Sequence, residues 1–296
     1  FTVIVADTQV TNAIVGGSVA TQQYGAASIW TPPADGSANR HRCHVNVISP
    51  YWGVTTAHCL NVTTVGVSEI RASGLDIVDP YSAQNPDGYK ESVGVAAVYP
   101  HPNYIPDQGN AAAQNDIALI KFTNPIQQTE PLGIAGSSSP VGTSAKLAGW
   151  GWICDSDPTM PNCGITPRFS PILKHLGVKI VNSSECTYPH QALQYFCVKA
   201  SGSENAMACV GDSGGPVTRK GFDKTILMGI VMGDGDLETG HPNFCSSNVD
   251  GGKGSALIVD VAKYKQWIQD TMFSNYSGSV SVPQSNISAI KPSFLD

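Results

Sequence analysis

The chain has 296 residues, of which 41% are hydrophobic and only 14% are charged, and its formal net charge is −6 at pH 7. This composition supplies enough apolar side chains for a substantial core and argues against a largely disordered protein. The sequence has no basic segment that would bind nucleic acid or an anionic membrane, so we expect neither as a partner. No apolar run approaches the roughly 18 residues that a membrane span requires.

Short segments of alternating apolar and polar residues recur along the chain, separated by turns rich in Gly and Pro. This pattern predicts an all-β sandwich or barrel. Near the C-terminus, Val261, Tyr264, Trp267 and Ile268 have helical spacing, and Asp260 is suited to cap that helix. In chain order, the predicted strands are His44–Ile48, Gly53–Thr56, Val93–Val98, Ile117–Phe122, Ala145–Ala148, Leu176–Ile180, Ile226–Val231 and Ala256–Val261.

Three motifs place a histidine, an aspartate and a serine in that order. His58 lies in Thr-Ala-His-Cys, Asp116 precedes an apolar strand, and Ser213 lies in Gly-Asp-Ser-Gly-Gly-Pro. The glycines let the chain turn sharply around the serine hydroxyl. A serine becomes a nucleophile when a histidine takes its proton and a carboxylate orients that histidine. The order therefore predicts a catalytic triad of His58, Asp116 and Ser213.

These motifs resemble those of the trypsin/chymotrypsin family of serine peptidases. The resemblance includes Ile14-Val15-Gly16-Gly17 and Gly149-Trp150-Gly151, and it extends from residue 14 to about residue 268. It implies an all-β fold of two six-stranded antiparallel β-barrels with a C-terminal α-helix, and the triad at the junction of the barrels. It also implies a secreted, monomeric hydrolase that acts on polypeptide substrates, forms an acyl-enzyme and is bound by protein inhibitors.

The resemblance assigns two further roles around the nucleophile. The backbone N–H groups of Gly211 and Ser213 would form the oxyanion hole. In the family, cleavage before the residue that matches Ile14 frees an ammonium, which pairs with the carboxylate that matches Asp212. Residues 1–13 are therefore expected to be a pro-segment or an N-terminal extension, as in a zymogen.

The flank Thr11-Asn12-Ala13 lacks the Lys or Arg of the usual tryptic activation. Either another peptidase cuts after Ala13, which we favour, or the chain stays joined and Asp212 needs another cation. We expect the peptidase domain to span residues 14–272, with the boundary between the barrels near 124–140. The Ser-rich residues 273–296 are typical of a solvated tail.

The pocket that selects the substrate side chain is predicted from the positions around the nucleophile. Met207 matches the residue at the floor of the pocket in the family, and a buried Lys or Arg would have no counter-charge there. Ala208 and, on the far wall, Ala256 are small. We therefore expect a preference for apolar or medium-sized side chains. Asp234 or Asp236 would restore a preference for basic residues if either lined the pocket.

The cysteine count and the glycosylation sequons indicate an oxidising, secretory environment. The chain has eight cysteines, an even number. We expect that a signal peptide has already been removed, because residues 1–10 do not form one. Four sequons predict glycosylation at Asn61, Asn182, Asn275 and Asn286. The family resemblance, not the spacing, implies the pairs Cys43–Cys59, Cys186–Cys197 and Cys209–Cys245, which leaves Cys154–Cys163.

Two other functions and a metal site compete with this interpretation. Gly211–Gly215 also fits the nucleophile elbow of an α/β-hydrolase, but that fold alternates strands with helices and places its histidine after the serine. A non-catalytic serine protease homologue that acts as a binding or regulatory module is the stronger alternative, because Met232–Asp234 replaces the family's Ser-Trp-Gly. His41 and His44 flank Cys43 as metal ligands would, but the expected disulfide occupies Cys43, so we expect no metal and no cofactor.

Overall fold

The computed structural model describes residues 14, 17–31, 40–60, 69–107, 113–151, 169–186, 194–202, 206, 208–209, 211–234 and 255–276. Within these ranges most of the chain is β-structure, arranged in two barrel-like sheets, with one α-helix near the C-terminus. The predicted all-β fold with a C-terminal helix is confirmed. The strands are β1 (Ser18–Val19), β2 (Ala26–Thr31), β3 (Arg40–Ser49), β4 (Trp52–Thr55), β5 (Glu69–Ala72), β6 (Asp76–Pro80), β7 (Gly88–Tyr89), β8 (Glu91–Val93), β9 (Val95–Pro100), β10 (Ala118–Phe122), β11 (Gly133–Ile134), β12 (Ser144–Gly149), β13 (Lys174–Val181), β14 (Tyr195–Ala200), β15 (Pro216–Lys220), β16 (Thr225–Asp234) and β17 (Ser255–Asp260).

The first sheet has the strand order β8-β5-β2-β3-β4-β10-β9. Its two outermost strands, β8 and β9, are separated in the chain only by Gly94. One bent segment therefore pairs with β5 at one end and with β10 at the other, which curls the sheet into a barrel. The pairings within this sheet are antiparallel.

The second sheet closes on itself. Its order is β1-β13-β12-β15-β16-β17-β14, and β13 also pairs with β14, so that the six strands from β12 to β17 form a ring. These six strands are antiparallel to their neighbours, whereas the short β11 joins β16 in parallel. The chain passes from the first sheet to the second after β10, since β11 already belongs to the second.

The main core cluster lies where the two barrels pack together. Its members come from both sheets. Since successive strand residues point to opposite faces, a single strand can also contribute to two different clusters. In β17, for example, Leu257 and Val259 join this shared cluster, whereas Ala256 and Ile258 point into the second barrel. The strands at the junction are thus buried on both faces. This shared apolar core holds the two barrels against each other.

The C-terminal helix begins as the sequence predicts. The Asp260 carboxylate accepts a hydrogen bond from the backbone N–H of Ala262, as a helix N-cap does. A 3₁₀ turn over Val261–Tyr264 leads into the α-helix Lys265–Ser274, and Val261, Tyr264 and Ile268 pack into the shared core. No helix in the described ranges combines the length and the apolar character of a membrane span.

Gly53 tests the packing of β4 inside the first barrel. A Cβ added at Gly53 would lie 2.4 Å from Val45 Cγ2 and 2.8 Å from Phe122 Cζ. We expect Gly53→Ala to lower the free energy of unfolding by about 1–3 kcal/mol, measured by urea denaturation with the disulfides intact, because both neighbours are buried and must shift. Gly136→Ala is the matched control, since an added Cβ there meets no heavy atom within 4 Å. Equal effects of the two variants would contradict this packing argument.

Candidate active site

Strand pairing in the first barrel brings His58 and Asp116 together. β4 and β10 are antiparallel, with Thr55 opposite Ala118, so the residues after β4 lie beside those before β10. His58 Nδ1 lies 2.6 Å from Asp116 Oδ2, and the backbone N–H of His58 donates to Asp116 Oδ1 at 2.8 Å. Asp116 is completely buried, whereas the His58 side chain is 34% exposed. One carboxylate therefore fixes both the ring and the main chain of a histidine whose side chain is still partly exposed to solvent.

The charge of Asp116 acts on three tyrosines. Burial, together with the negative charges of Asp116 and Asp107, raises the pKa of Tyr104 to about 12. Burial and then Asp116 likewise raise the pKa of Tyr195 and of Tyr264. The Tyr195 hydroxyl donates to Ala113 O, and the Tyr264 hydroxyl donates to Asn115 Oδ1. Among the described residues, the side-chain carboxylate of Asp116 accepts its hydrogen bonds from His58.

Ser213 lies in a tight turn before β15, in which two glycines adopt left-handed backbone conformations. Gly211 has φ +91° and Gly214 has φ +76°. An added Cβ would lie 2.6 Å from Phe169 Cε1 at Gly211 and 2.3 Å from the His44 carbonyl oxygen at Gly214. A larger residue at either position would therefore be strained and would also clash. Both glycines are needed to present the serine at this point.

The Ser213 hydroxyl donates to the Met232 carbonyl oxygen at 3.5 Å. Among the described residues, no hydrogen bond joins Ser213 Oγ to His58 Nε2. Cys59 Sγ lies 3.8 Å from this nitrogen. The backbone N–H groups of Gly211 and Ser213 donate to no group in the described part of the chain. Among the described residues, these two N–H groups therefore have no acceptor, and the serine hydroxyl is not hydrogen-bonded to the histidine.

The structure describes the uncut chain, and Ile14 is completely buried in it. The Ile14 side chain packs into the second barrel's cluster together with Ala208, and its carbonyl accepts a hydrogen bond from Gly17 N. Asp212 is also completely buried, and its carboxylate accepts N–H donors from Gly151 and Cys209, each at 2.8 Å. Burial raises the pKa of Asp212 to about 7 despite these two hydrogen bonds.

Part of the predicted specificity pocket can be examined. Ala208 and Ala256 are both buried and belong to one cluster, and β16 places Asp234 opposite Ala256 in the sheet register. The side chain of Asp234 is outside the described residues, and so are Met207 and Asp236. Two small side chains thus lie together where the sequence predicts the pocket wall.

Two of the expected disulfides, Cys43–Cys59 and Cys186–Cys197, are present. Cys209 is also disulfide-bonded, and the other three cysteines, Cys154, Cys163 and Cys245, lie outside the described residues. Two sequons also lie outside them, at Asn61 and Asn286. Asn182 is exposed and Asn275 is half-buried.

Among the described residues, one group, Cys43, His58 and Cys59, has the spacing of metal ligands. The two sulfurs of this group are bonded to each other, so neither is a thiolate.

Sequence reasoning missed the side chains that contact the carbonyl oxygens of the nucleophile turn, residues 211–214. His41 Nε2 contacts Gly211 O at 3.0 Å, and Asn46 Nδ2 donates to Gly214 O at 2.7 Å. His44 contacts the carbonyl oxygen of the serine itself. These side chains belong to β3 of the first barrel and reach a turn of the second, so no local motif could reveal the contact. Their polar character on a buried strand was the available signal.

Comparison with solved structures identifies the architecture. Mouse neuropsin, a serine protease expressed in the limbic system of the brain, has a TM-score of 0.61 at 22% identity, covering 84% of this chain and 95% of its own. Two β-barrels with a buried aspartate–histidine pair and a glycine-flanked serine at their junction define the chymotrypsin-fold class of serine peptidases.

The sequence comparisons establish the family. The family model described as Trypsin matches residues 14–268. The chain is 27% identical to human Kallikrein-5, over 88% of this chain and 77% of the relative. It is also 27% identical to Trypsin delta of Drosophila melanogaster, over 88% of each chain. The chain belongs to the trypsin family and is a serine endopeptidase. The predicted family and the predicted class of enzyme are therefore confirmed.

The buried Asp212 makes the stability of the uncut chain depend on pH. An unfolded Asp titrates near 3.8, whereas the pKa of Asp212 is about 7 when folded. Between these values the folded chain binds one more proton, so the free energy of unfolding falls as pH rises from about 4 to about 7. The fall is on the order of 4 kcal/mol.

We expect Asp212→Asn to remove this fall, measured by urea denaturation of the uncut chain at several pH values. Asn keeps the size of the side chain but cannot ionise, whereas Asp223→Asn, at an exposed position, should leave the slope unchanged. If the free energy of unfolding of Asp212→Asn fell with rising pH as it does in the parent chain, Asp212 would not be the origin of the pH dependence.

Proposed function

We propose that this serine endopeptidase cleaves polypeptides through a triad of His58, Asp116 and Ser213 and an acyl-enzyme intermediate. The observation that carries the proposal is the pairing of His58 Nδ1 with the buried Asp116 carboxylate at 2.6 Å. With Nδ1 occupied in this way, Nε2 is the nitrogen that is left to take a proton from the serine.

The proposed reaction uses groups that the described residues supply. Ser213 Oγ attacks the scissile carbonyl carbon while His58 Nε2 takes the hydroxyl proton. The resulting oxyanion accepts hydrogen bonds from the backbone N–H groups of Gly211 and Ser213. His58 then protonates the leaving amine as the C–N bond breaks, which leaves an ester on Ser213. Water hydrolyses this ester by the same proton transfers in reverse, which regenerates the free hydroxyl.

We further propose that cleavage between Ala13 and Ile14 activates the chain, by a peptidase that does not require a basic residue before the bond. The new ammonium of Ile14 would pair with the Asp212 carboxylate. Two observations support this: Ile14 and Ala208 belong to the same buried apolar cluster, and the Asp212 carboxylate accepts a hydrogen bond from the N–H of the next residue, Cys209. A cation at this point would offset the desolvation that now raises the pKa of Asp212.

The proposed preference is for apolar or medium-sized side chains before the scissile bond. Ala208 and Ala256 support it, because both are small and lie in one apolar cluster. We also propose that the protein is secreted, with residues 1–13 as its pro-segment. The two disulfides of the described residues and the exposed sequon at Asn182 favour such a setting.

Covalent labelling tests the proposed nucleophile. We expect a fluorescent organophosphonate to label chain cut before Ile14, peptide mapping to find the label on Ser213, and Ser213→Ala to remove it. His58→Ala should slow the labelling by at least about a thousandfold, because no base then takes the proton. The uncut chain should react far more slowly than the cut chain.

The same experiment separates the enzyme from a non-catalytic homologue. Correctly cut, folded chain that takes up no label would identify a binding or regulatory module. If the uncut chain were labelled as fast as the cut chain, the triad would stand and the activation step would be wrong.

A substrate panel tests the proposed specificity. We expect short amide substrates with an apolar or medium-sized residue before the scissile bond to be cleaved with higher kcat/KM than those with Arg or Lys. A buried cation without a counter-charge costs several kcal/mol. Faster cleavage after Arg or Lys would refute the preference and place an acid such as Asp234 or Asp236 in the pocket. Asp234→Asn and Asp236→Asn would then show which one.

A further inference from the structure

Three side chains of β3 contact carbonyl oxygens of the nucleophile turn. His41 contacts the carbonyl oxygen of Gly211 and Asn46 donates to that of Gly214. Between them, His44 reaches the carbonyl oxygen of Ser213 in two ways: its backbone N–H donates at 2.9 Å, and its ring Nδ1 lies at 3.4 Å. The carbonyl of the nucleophile thus has two contacts from one residue of the other barrel.

The partners of the His44 ring decide which nitrogen carries its proton. The backbone N–H of Trp150 donates to His44 Nε2 at 2.9 Å, so Nε2 must have a free lone pair. A neutral imidazole then carries its proton on Nδ1, which faces the acceptor Ser213 O. The ring is completely buried, and burial lowers the pKa of His44 well below its usual value, which keeps it neutral. His44 is therefore a donor to the nucleophile's carbonyl.

His41 has the opposite tautomer. Its Nε2 faces the carbonyl oxygen of Gly211, which only accepts, so the proton is on Nε2. Its Nδ1 accepts from the Ser28 hydroxyl at 2.6 Å. Burial lowers the pKa of His41 to about 4, and the rings of His41 and His44 meet edge to face at 4.8 Å. The two histidines donate one proton each, to carbonyls on either side of Asp212.

His44 also connects the turn to the segment around Trp150. The His44 ring stacks on the Trp150 ring, with centroids 5.1 Å apart and planes inclined by 14°. While Trp150 N donates to His44, the next amide, Gly151 N, donates to Asp212 Oδ1 at 2.8 Å. One pair of neighbouring amides therefore fixes both a histidine behind Ser213 and the carboxylate beside it.

We propose that His44 is a positioning residue for the reaction: its Nδ1–H holds the Ser213 carbonyl, and its Nε2 ties that carbonyl to Trp150. This inference rests on the proposed role of Ser213 and goes beyond it. By fixing the peptide that follows the nucleophile, His44 restricts the direction of the Ser213 hydroxyl and of its N–H. Loss of this contact should lower the acylation rate and leave substrate binding largely unchanged.

The tautomers can be tested without any catalytic activity. A long-range ¹H–¹⁵N spectrum of histidine-labelled chain, assigned with His44→Phe and His41→Phe, distinguishes protonated from unprotonated ring nitrogens. We expect at pH 7 a proton on Nδ1 of His44 and on Nε2 of His41. A proton on Nε2 of His44, or on both nitrogens, would overturn the proposal even if Ser213 is the nucleophile.

Three substitutions then separate the two contacts of the ring. His44→Phe keeps the stacking on Trp150 but removes both nitrogens. His44→Asn keeps an amide near the position of Nδ1, and His44→Gln keeps one near the position of Nε2. We expect the Phe and Gln variants of cut chain to show roughly tenfold lower kcat and organophosphonate labelling rates, with KM within about twofold. His44→Asn should retain most of the rate, because it still donates to Ser213.

His175→Gln is the control, since His175 lies on β13 and contacts Tyr24 rather than the nucleophile turn. It should leave kcat and labelling unchanged. Equal rates for His44→Asn and His44→Phe, or an unchanged rate for folded His44→Phe, would overturn the positioning role. Absence of label on the cut parent chain would instead contradict the proposed nucleophile, while the spectrum would still decide whether His44 donates its proton.

Discussion

The geometry of the site depends on hydrogen bonds from strand β3 of the first barrel to the turn of the second barrel that contains Ser213. Asp116 and His58 belong to the first barrel and Ser213 to the second, so their relative position is fixed only across the junction. The shared apolar core sets the coarse position, and three donors on β3 set the fine one. Each buried hydrogen bond contributes about 1 kcal/mol, but a carbonyl left unpaired costs about 1–3 kcal/mol. The free energy lost when one of these carbonyls becomes unpaired is therefore larger than the net stabilisation that each hydrogen bond provides.

A buried charge places a second constraint on the same turn. The Asp212 carboxylate accepts two backbone N–H groups, yet burial still raises its pKa to about 7. Hydrogen bonds to neutral amides thus do not replace the water that this carboxylate has lost. Within our proposal, the ammonium of Ile14 supplies the missing compensation, and the free energy that it releases is available to reshape the adjacent Gly211–Ser213 backbone. Within this proposal, the desolvated Asp212 carboxylate explains both the pH dependence of the uncut chain's stability and the activation of the chain by cleavage.

The sequence predicted those parts of the fold that leave a periodic trace. Strands β3 and β13 were predicted because polar and apolar residues alternate in them, and the helix because its apolar residues have helical spacing and Asp260 caps it. Strand β2 (Ala26–Thr31) was missed, since it is buried along its whole length and has no alternation to detect. The site shows the same division. Local motifs indicated His58 and Ser213, whereas His44 was weighed only as a metal ligand, because its contact with Ser213 crosses 169 residues of chain.

The described geometry leaves the hydroxyl of Ser213 as the group that still has to move. His58 cannot turn freely, because one buried carboxylate holds both its ring and its backbone N–H. The carbonyl of Ser213 cannot move freely either, since residue 44 contacts it twice. In the proposed mechanism the serine hydroxyl, which donates to Met232 O in this structure, donates instead to His58 Nε2. The proposed proton transfer therefore needs a change of hydrogen-bond partner at the serine hydroxyl, while the histidine and the serine carbonyl keep the contacts that hold them.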